Sequence, residues 1–274
     1  MRIAAVQMHD GRKLVVDVGG DHRRLEFDRD LLALIRGGVD PHELTVGAAV
    51  EGELVAPLQP GKIVAIGLNY LDHIRESKLP QPAQPLVFAK FPSSVTGPND
   101  PIAVDVELTT NVDWEVELGV IVGRRMRRVG VGAALDYVFG YTVCNDLSAR
   151  DVQFSESQWT RGKSFDTFCP LGPVVVTADE IPDPQVLACR TRVNGEVMQD
   201  SSTGEMLFGV AELLAFCSRS FTLEPGDLLL TGTPWGSGYF MDPPRALELG
   251  DVVECEVEGI GVLRNAVAAA SSSR

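Results

Sequence analysis

The chain has 274 residues, 24 of them basic and 38 acidic, for a formal net charge of −14. Phosphate recognition needs a clustered basic footprint, so this balance excludes a nucleic-acid partner. With 45 % hydrophobic and 23 % charged residues, the composition is that of a globular chain and not of a disordered one. No apolar run reaches the ~18 residues of a membrane span, and residues 1–10 lack the basic-then-apolar order of a secretory signal. Cys144, Cys169, Cys189, Cys217 and Cys255 form no Cys-x-x-Cys pair. They read as free buried thiols and predict a cytoplasmic protein without membrane contact.

Along the chain, short apolar runs at 3–8 and 14–18 predict strands separated by an Asp10-Gly11 turn. Residues 28–35 predict a helix stopped by Gly37-Gly38. Pro57, Pro60 and Gly61 mark a break. Residues 1–58 are therefore expected to form a small N-terminal α+β cap, 59–267 the main domain and 268–274 a frayed tail. Beyond the break, β-branched runs at 63–67, 112–122, 138–144, 174–177, 188–193, 227–231 and 252–257 predict strands. They are irregularly spaced with few helices between them, which disfavours a doubly wound parallel sheet and predicts a β-rich α+β fold.

Several familiar motifs fail. Gly162-Lys163-Ser164 resembles the end of a P-loop, but Ser157 stands where that motif needs glycine. Gly130-Val131-Gly132 lacks the third glycine of a dinucleotide fingerprint. There is no Gly-x-Ser-x-Gly elbow and no His-Glu-x-x-His helix. His9, His22, His42 and His73 are too few and too scattered for a histidine-rich zinc site.

The acidic residues carry a stronger signal. From Val112 to Val120 the sequence alternates, placing Trp114, Val116, Leu118 and Val120 on one face and Asp113, Glu115 and Glu117 on the other. The acids form either a wet face of an amphipathic strand or a like-charged group that a cation would relieve. A strand ending at Asn145-Asp146 is followed by a predicted helix over 147–153. Asp146 is there either a helix N-cap or a third carboxylate. Three converging carboxylates suit a hard, oxygen-seeking ion such as Mg2+ or Mn2+. Arg150 and Gln153 are expected one and two turns after Asp146, on its face of the helix.

The segments Gly67-Leu68-Asn69-Tyr70-Leu71-Asp72-His73-Ile74-Arg75-Glu76, Glu115-Val116-Glu117, 145–153, 162–167 and Thr231-Gly232-Thr233-Pro234 follow one another in that order. In this the chain resembles the fumarylacetoacetate hydrolase family from about residue 62 to residue 261. The resemblance implies a mixed β-sandwich roll, with Mg2+ or Mn2+ on Glu115, Glu117 and Asp146. It makes Lys163, Arg150, Gln153, Gly232, Thr233 and Tyr70 substrate contacts, with Phe88, Trp159 and Tyr239 as further candidate lining. A homodimer is implied by the resemblance alone.

His73 and Glu76 stand three apart on a short predicted helix, hence on one face. Such a pair can orient an imidazole as a general base, and the resemblance makes it the catalytic dyad, with Lys163 beside it. The proline-rich stretch 79–85 reads as the hinge of a mobile lid. The activity implied first is hydrolysis of a carbon-carbon bond in a β-dicarbonyl acid of the acylpyruvate type, through a metal-bound enolate. The alternatives are oxaloacetate decarboxylation and isomerisation of 2-hydroxyhepta-2,4-diene-1,7-dioate or related muconate-type acids, because fold and site residues do not choose among enolate reactions. A binding protein holding a structural ion is the non-enzymatic alternative. In every enzymatic case the partner is a small anionic 2-oxo acid.

Overall fold

The apolar runs between residues 112 and 177 build the centre of the fold. In the computed structural model, which describes residues 1–270, Val116–Val122, Val138–Asn145 and Cys169–Thr177 are adjacent antiparallel strands. They form the middle of a twelve-stranded mixed sheet. Leu228–Leu230, Ile63–Gly67 and Leu86–Lys90 extend it on one side, and Arg2–Met8, Gly11–Val18, Asp21–Leu25 and Val46–Ala49 on the other. A second, five-stranded sheet runs Glu196–Ser202, Ala188–Val193, Val252–Val257, Gly261–Ala269, Ile102–Val104.

Both faces of the large sheet are covered, which explains why its central strands read as nearly continuous apolar runs. Val116, Leu118, Val120 and Val122 share a core with Cys189, Val193, Val253, Cys255 and Leu263 of the second sheet. On the opposite face Ile121, Cys144, Leu171 and Leu228 meet Ile3, Leu14 and the buried side of the helix Leu31–Arg36. That helix begins later than the expected residue 28, because the Asp30 side chain caps it by accepting from the Ala33 N–H at 2.7 Å. The fold is the β-rich α+β arrangement expected from the sequence.

The N-terminal segment is sewn into this sheet, since Arg2–Met8 pairs with Cys169–Thr177 and sets Ile3 opposite Val175. Residues 1–58 thus share a sheet and a core with the rest of the chain. At the other end, Ala268 and Ala269 belong to the strand Gly261–Ala269, opposite Ala103 and Val104, so the expected tail is corrected over those two residues. Residues 271–274 lie outside the described residues.

Two elements near the carboxylates also differ from expectation. The strand predicted over 112–122 is two strands, Val112–Asp113 paired with Ser148–Ala149 and Val116–Val122 in the main sheet. The chain changes sheets at Trp114 and Glu115. The helix predicted over 147–153 is Arg150–Ser155, with Ser148–Ala149 extended before it. Its N-cap is Ala149, so Asp146 does not cap it and does not share its face. The strand Glu196–Ser202 and the helix Val210–Ser220 were not predicted. The first is polar in composition, and the second buries Val210, Leu213, Leu214 and Cys217 at helical spacing.

Candidate active site and metal centre

The change of sheet at Glu115 brings the acids together. Glu115, Glu117 and Asp146 each offer an oxygen within 4.8 Å of the others, and all three are buried. The wet acidic face is thereby excluded. Glu115 comes from the break before Val116–Val122, Glu117 from inside that strand, and Asp146 from the end of the neighbouring strand Val138–Asn145. The Asp146 N–H bonds the Glu115 carbonyl at 2.9 Å, so strand pairing itself sets their separation.

Cations surround the acids. Lys163 Nζ donates to Glu115 Oε2 at 2.7 Å and to Asp146 Oδ2 at 2.8 Å. Arg150 spans Glu115 Oε1 at 2.6 Å and Asp113 Oδ2 at 2.8 Å, and its Nη1 donates to Gln153 Oε1 at 3.0 Å. Burial opposes ionisation of Glu115, but Lys163 and Arg150 outweigh it and hold this carboxyl well below the usual range. Glu117 goes the other way, pushed well up by burial and by the charges of Asp146 and Glu115. Its only side-chain hydrogen bond among the described residues comes from the Gly232 N–H, at 2.7 Å.

This donor set fits a divalent ion. It is all oxygen and buried, and it contains a carboxylate whose charge its like-charged neighbours disfavour, which suits a hard cation such as Mg2+ or Mn2+. With every group counted in its ionised form, Asp113, Glu115, Glu117 and Asp146 face the buried cations Lys90, Arg150 and Lys163, a formal excess of one negative charge. A bound divalent ion turns that excess to one positive charge.

Lys90 was missed by the sequence reading. It is 1 % exposed, and its Nζ donates to Asp146 Oδ1 at 2.6 Å, to the Leu147 carbonyl at 3.3 Å and to the Lys163 carbonyl. It fixes a metal-ligand candidate and the backbone of Lys163 together. In sequence it only ends an apolar strand, where a lysine ordinarily reaches water. Lys90→Met leaves a buried Asp146 short of a cation. Breaking a buried pair costs about 3–5 kcal/mol, so a marked fall in melting temperature is expected in a thermal scan.

The dyad sits across the cleft. His73 and Glu76 lie on the helix Leu71–Ser77 with His73 Nδ1 3.0 Å from Glu76 Oε2. The other carboxylate oxygen of Glu76 accepts from the Gly236 N–H at 2.9 Å, and the Phe240 ring stands edge-on to the imidazole at 5.3 Å. His73, Glu115, Glu117, Arg150, Gln153, Lys163 and Thr233 line one cleft, and Leu68, Leu79, Phe88, Phe154, Trp159 and Phe240 give it an apolar wall.

Not every expected contact reaches the cleft. Tyr70 precedes the dyad helix in extended conformation and buries its ring in the main core, so it is corrected to a structural residue. Gly232 has a φ of +92° and spends its N–H on Glu117. A Cβ there would meet Asn69 Cβ at 2.9 Å, and the residue supports a carboxylate and is not part of the cleft lining. Of the candidate lining residues, Phe88 and Trp159 face the cleft, whereas Tyr239 is not part of its lining and packs at a tilt against Phe154, ring centres 4.8 Å apart. Gly67 makes room for the wall, because a Cβ there would stand 2.5 Å from Trp159 Cζ3. Gly67→Ala is expected to displace Trp159 and cost about 1–3 kcal/mol, read as a lower melting temperature and a changed near-ultraviolet dichroism.

All five cysteines are free and buried. No helix among the described residues is long and apolar enough to cross a membrane.

Comparison with known proteins agrees with this geometry. An oxaloacetate tautomerase of Xenopus laevis, described as mitochondrial, is 48 % identical over 246 residues, covering 89 % of this chain and 76 % of its own. A Homo sapiens oxaloacetate tautomerase, also described as mitochondrial, is 45 % identical over 228 residues, covering 82 % of this chain and 72 % of its own. These descriptions do not support the expected cytoplasmic placement. The solved fumarylacetoacetate hydrolase of Exiguobacterium antarcticum superposes with a TM-score of 0.89 at 40 % identity, over 98 % of this chain and 99 % of its own. The 2-hydroxyhepta-2,4-diene-1,7-dioate isomerase of Mycobacterium marinum gives 0.83 at 34 % identity, over the whole of both chains. The family model described as fumarylacetoacetate (FAA) hydrolase C-terminal matches residues 62–268, the stretch that carries every acid, cation and dyad residue above, and on that agreement the chain is an enzyme of the fumarylacetoacetate hydrolase family.

Proposed function

We propose that the enzyme interconverts the enol and keto forms of a small 2-oxo dicarboxylic acid of the oxaloacetate class, with Mg2+ or Mn2+ on Glu115, Glu117 and Asp146. The observation that carries this is a single oriented imidazole facing a carboxylate cluster that has its own cations. When bound, the divalent ion supplies a Lewis acid for the carboxylate and 2-oxo oxygens of the substrate.

The chain's own residues do the rest. Glu76 accepts a hydrogen bond from the Nδ1–H of His73, which leaves Nε2 as the basic nitrogen. Nε2 removes a proton from the carbon beside the 2-oxo group. The C–H electron pair becomes the C=C bond, and the carbonyl oxygen takes the proton; the reverse runs through the same groups. Lys163 and Arg150 supply positive charge next to the oxygen on which charge grows, and each such donor contributes a factor of about 10²–10³. The excess of one positive charge in the loaded cluster favours an anionic substrate.

Relatives named oxaloacetate tautomerase favour this reading over the hydrolysis implied first. Hydrolysis of an acylpyruvate is the second reading, favoured by the Exiguobacterium enzyme; there His73 would take its proton from water. A panel of oxaloacetate, an acylpyruvate and a muconate-type dienol with Mg2+ separates them. Tautomerisation changes the enol absorbance of oxaloacetate without a change of mass, decarboxylation releases CO2, and hydrolysis yields two products. Enol decay no faster than in buffer rejects the tautomerase reading. A homodimer belongs to the same reading and is tested by sedimentation velocity.

A further inference from the structure

The residue between the two glutamates, Val116, lies opposite Asn145 on one edge and is held by side chains on the other. Val116–Val122 pairs with Leu228–Leu230 only as far as Gly119 opposite Leu230. Beyond that point only the ladder with Val138–Asn145 continues, to Val116 opposite Asn145, and the other edge of the strand is open. The Val116 N–H donates to Gln199 Oε1 at 3.0 Å, and the Val116 carbonyl accepts from Thr233 Oγ1 at 3.0 Å. Gln199 Nε2 donates to that same Thr233 Oγ1 at 2.9 Å. These bonds close a ring of Val116, Gln199 and Thr233.

Gln199 is fully buried and uses its whole amide, since Oε1 also accepts from Thr191 Oγ1 at 2.8 Å and Nε2 also donates to the Pro234 carbonyl at 2.9 Å. Its strand is built to deliver it. Thr191 stands opposite Gln199 but Arg192 opposite Val197, so Met198 is an extra residue in an edge strand. Bulges of this kind re-aim a side chain. The loop after Thr231 lies directly on the bulge, where a Cβ on Gly236 would collide with the Met198 carbonyl. From the same loop the Gly232 N–H holds Glu117 and the Gly236 N–H holds Glu76.

We propose that Gln199 is a positioning residue that locks Val116 to the Thr233 loop, and so sets the spacing of Glu115 and Glu117 and the affinity of the metal site. It touches neither substrate nor metal. The inference rests on the metal-site reading above and extends it to the second sheet.

Titration calorimetry with Mn2+ on the full chain tests it. Gln199→Met fills the space without hydrogen bonds, whereas Gln199→Glu keeps an acceptor for Val116 and loses the donors to Thr233 and Pro234. Losing such an outer partner typically weakens metal binding about 10–100-fold. That loss is expected for Gln199→Met, with a smaller loss for Gln199→Glu, and with kcat returning toward the parent value at saturating Mn2+. Melting of the metal-free proteins shows whether each variant is folded. Mn2+ affinity within about twofold of the parent in a folded Gln199→Met protein overturns the proposal while the metal site stands. A parent chain that binds no Mn2+ overturns the metal site and this proposal with it. Should Gln199→Met fail to fold, Gln199→Glu decides by the same criterion. None of these outcomes depends on which reaction is catalysed.

Discussion

Turnover is expected to fall to the uncatalysed rate after dialysis against EDTA and to return with Mg2+ or Mn2+. A Lewis acid at a developing oxyanion contributes several kcal/mol, and about 4 kcal/mol is roughly a thousandfold in rate. Activity that survives thorough chelation rejects the metal role. Glu117→Gln sharpens the test because its two effects have opposite signs. The amide oxygen still accepts from the Gly232 N–H, but one ligand charge is gone. Mn2+ binding is expected to weaken by at least about 100-fold, more than for an outer partner. The metal-free variant is expected to melt higher than the parent, since burial, Asp146 and Glu115 all disfavour the Glu117 carboxylate. The raised folded value also sets the pH window. Where Glu117 is protonated in both folded and unfolded chains, at low pH, the amide gains little. As pH rises through the ordinary glutamate range the unfolded chain ionises first, the parent loses stability, and the advantage of the variant grows. A metal-free Glu117→Gln protein less stable than the parent at neutral pH contradicts this account of the cluster.

His73→Ala is expected to lower kcat by about 10²–10⁴, the usual contribution of a positioned acid-base group, while Mn2+ affinity stays at the parent value. Its ring reaches the cleft from the helix Leu71–Ser77 and is not among the three ligand candidates. Glu76→Gln keeps a hydrogen bond to Nδ1 but removes the negative charge that stabilises the imidazolium, so a smaller loss in kcat is expected. Parallel measurement of kcat and Mn2+ binding separates an enzyme from a protein that merely holds an ion. Unchanged turnover in His73→Ala removes the dyad from the mechanism.

Much of the site was legible because it is local. His73 and Glu76 are three residues apart, and a helix of only two turns suffices to set Nδ1 3.0 Å from the carboxylate. Glu115 and Glu117 are two apart, and any extended backbone makes them neighbours. The assignment of Arg150 and Gln153 to one helical face also held, because their spacing of three is a helical contact. The placement of Asp146 on that face did not hold. The short pairing of Ser148–Ala149 with Val112–Asp113 delays the helix to Arg150, and no local preference in 147–149 announces a two-residue ladder made with a partner over thirty positions away.

Residue types, short spacings and the order of motifs therefore pointed, from the sequence by itself, to the β-rich class, the three carboxylates, the His73–Glu76 pair and Lys163. Only the tertiary structure decided that the acids are buried, that Lys90 helps to balance them, that Asp113 shares Arg150 with Glu115, that Tyr70 turns into the core, and that Gln199 reaches across from a second sheet. The physical reason is the range of the interactions. Side-chain direction within a strand or helix follows from backbone periodicity over a few residues, whereas burial and charge balance depend on which distant strands the sheet brings alongside, and a lone lysine or glutamine in a strand looks the same in sequence whether it meets water or a buried carboxylate.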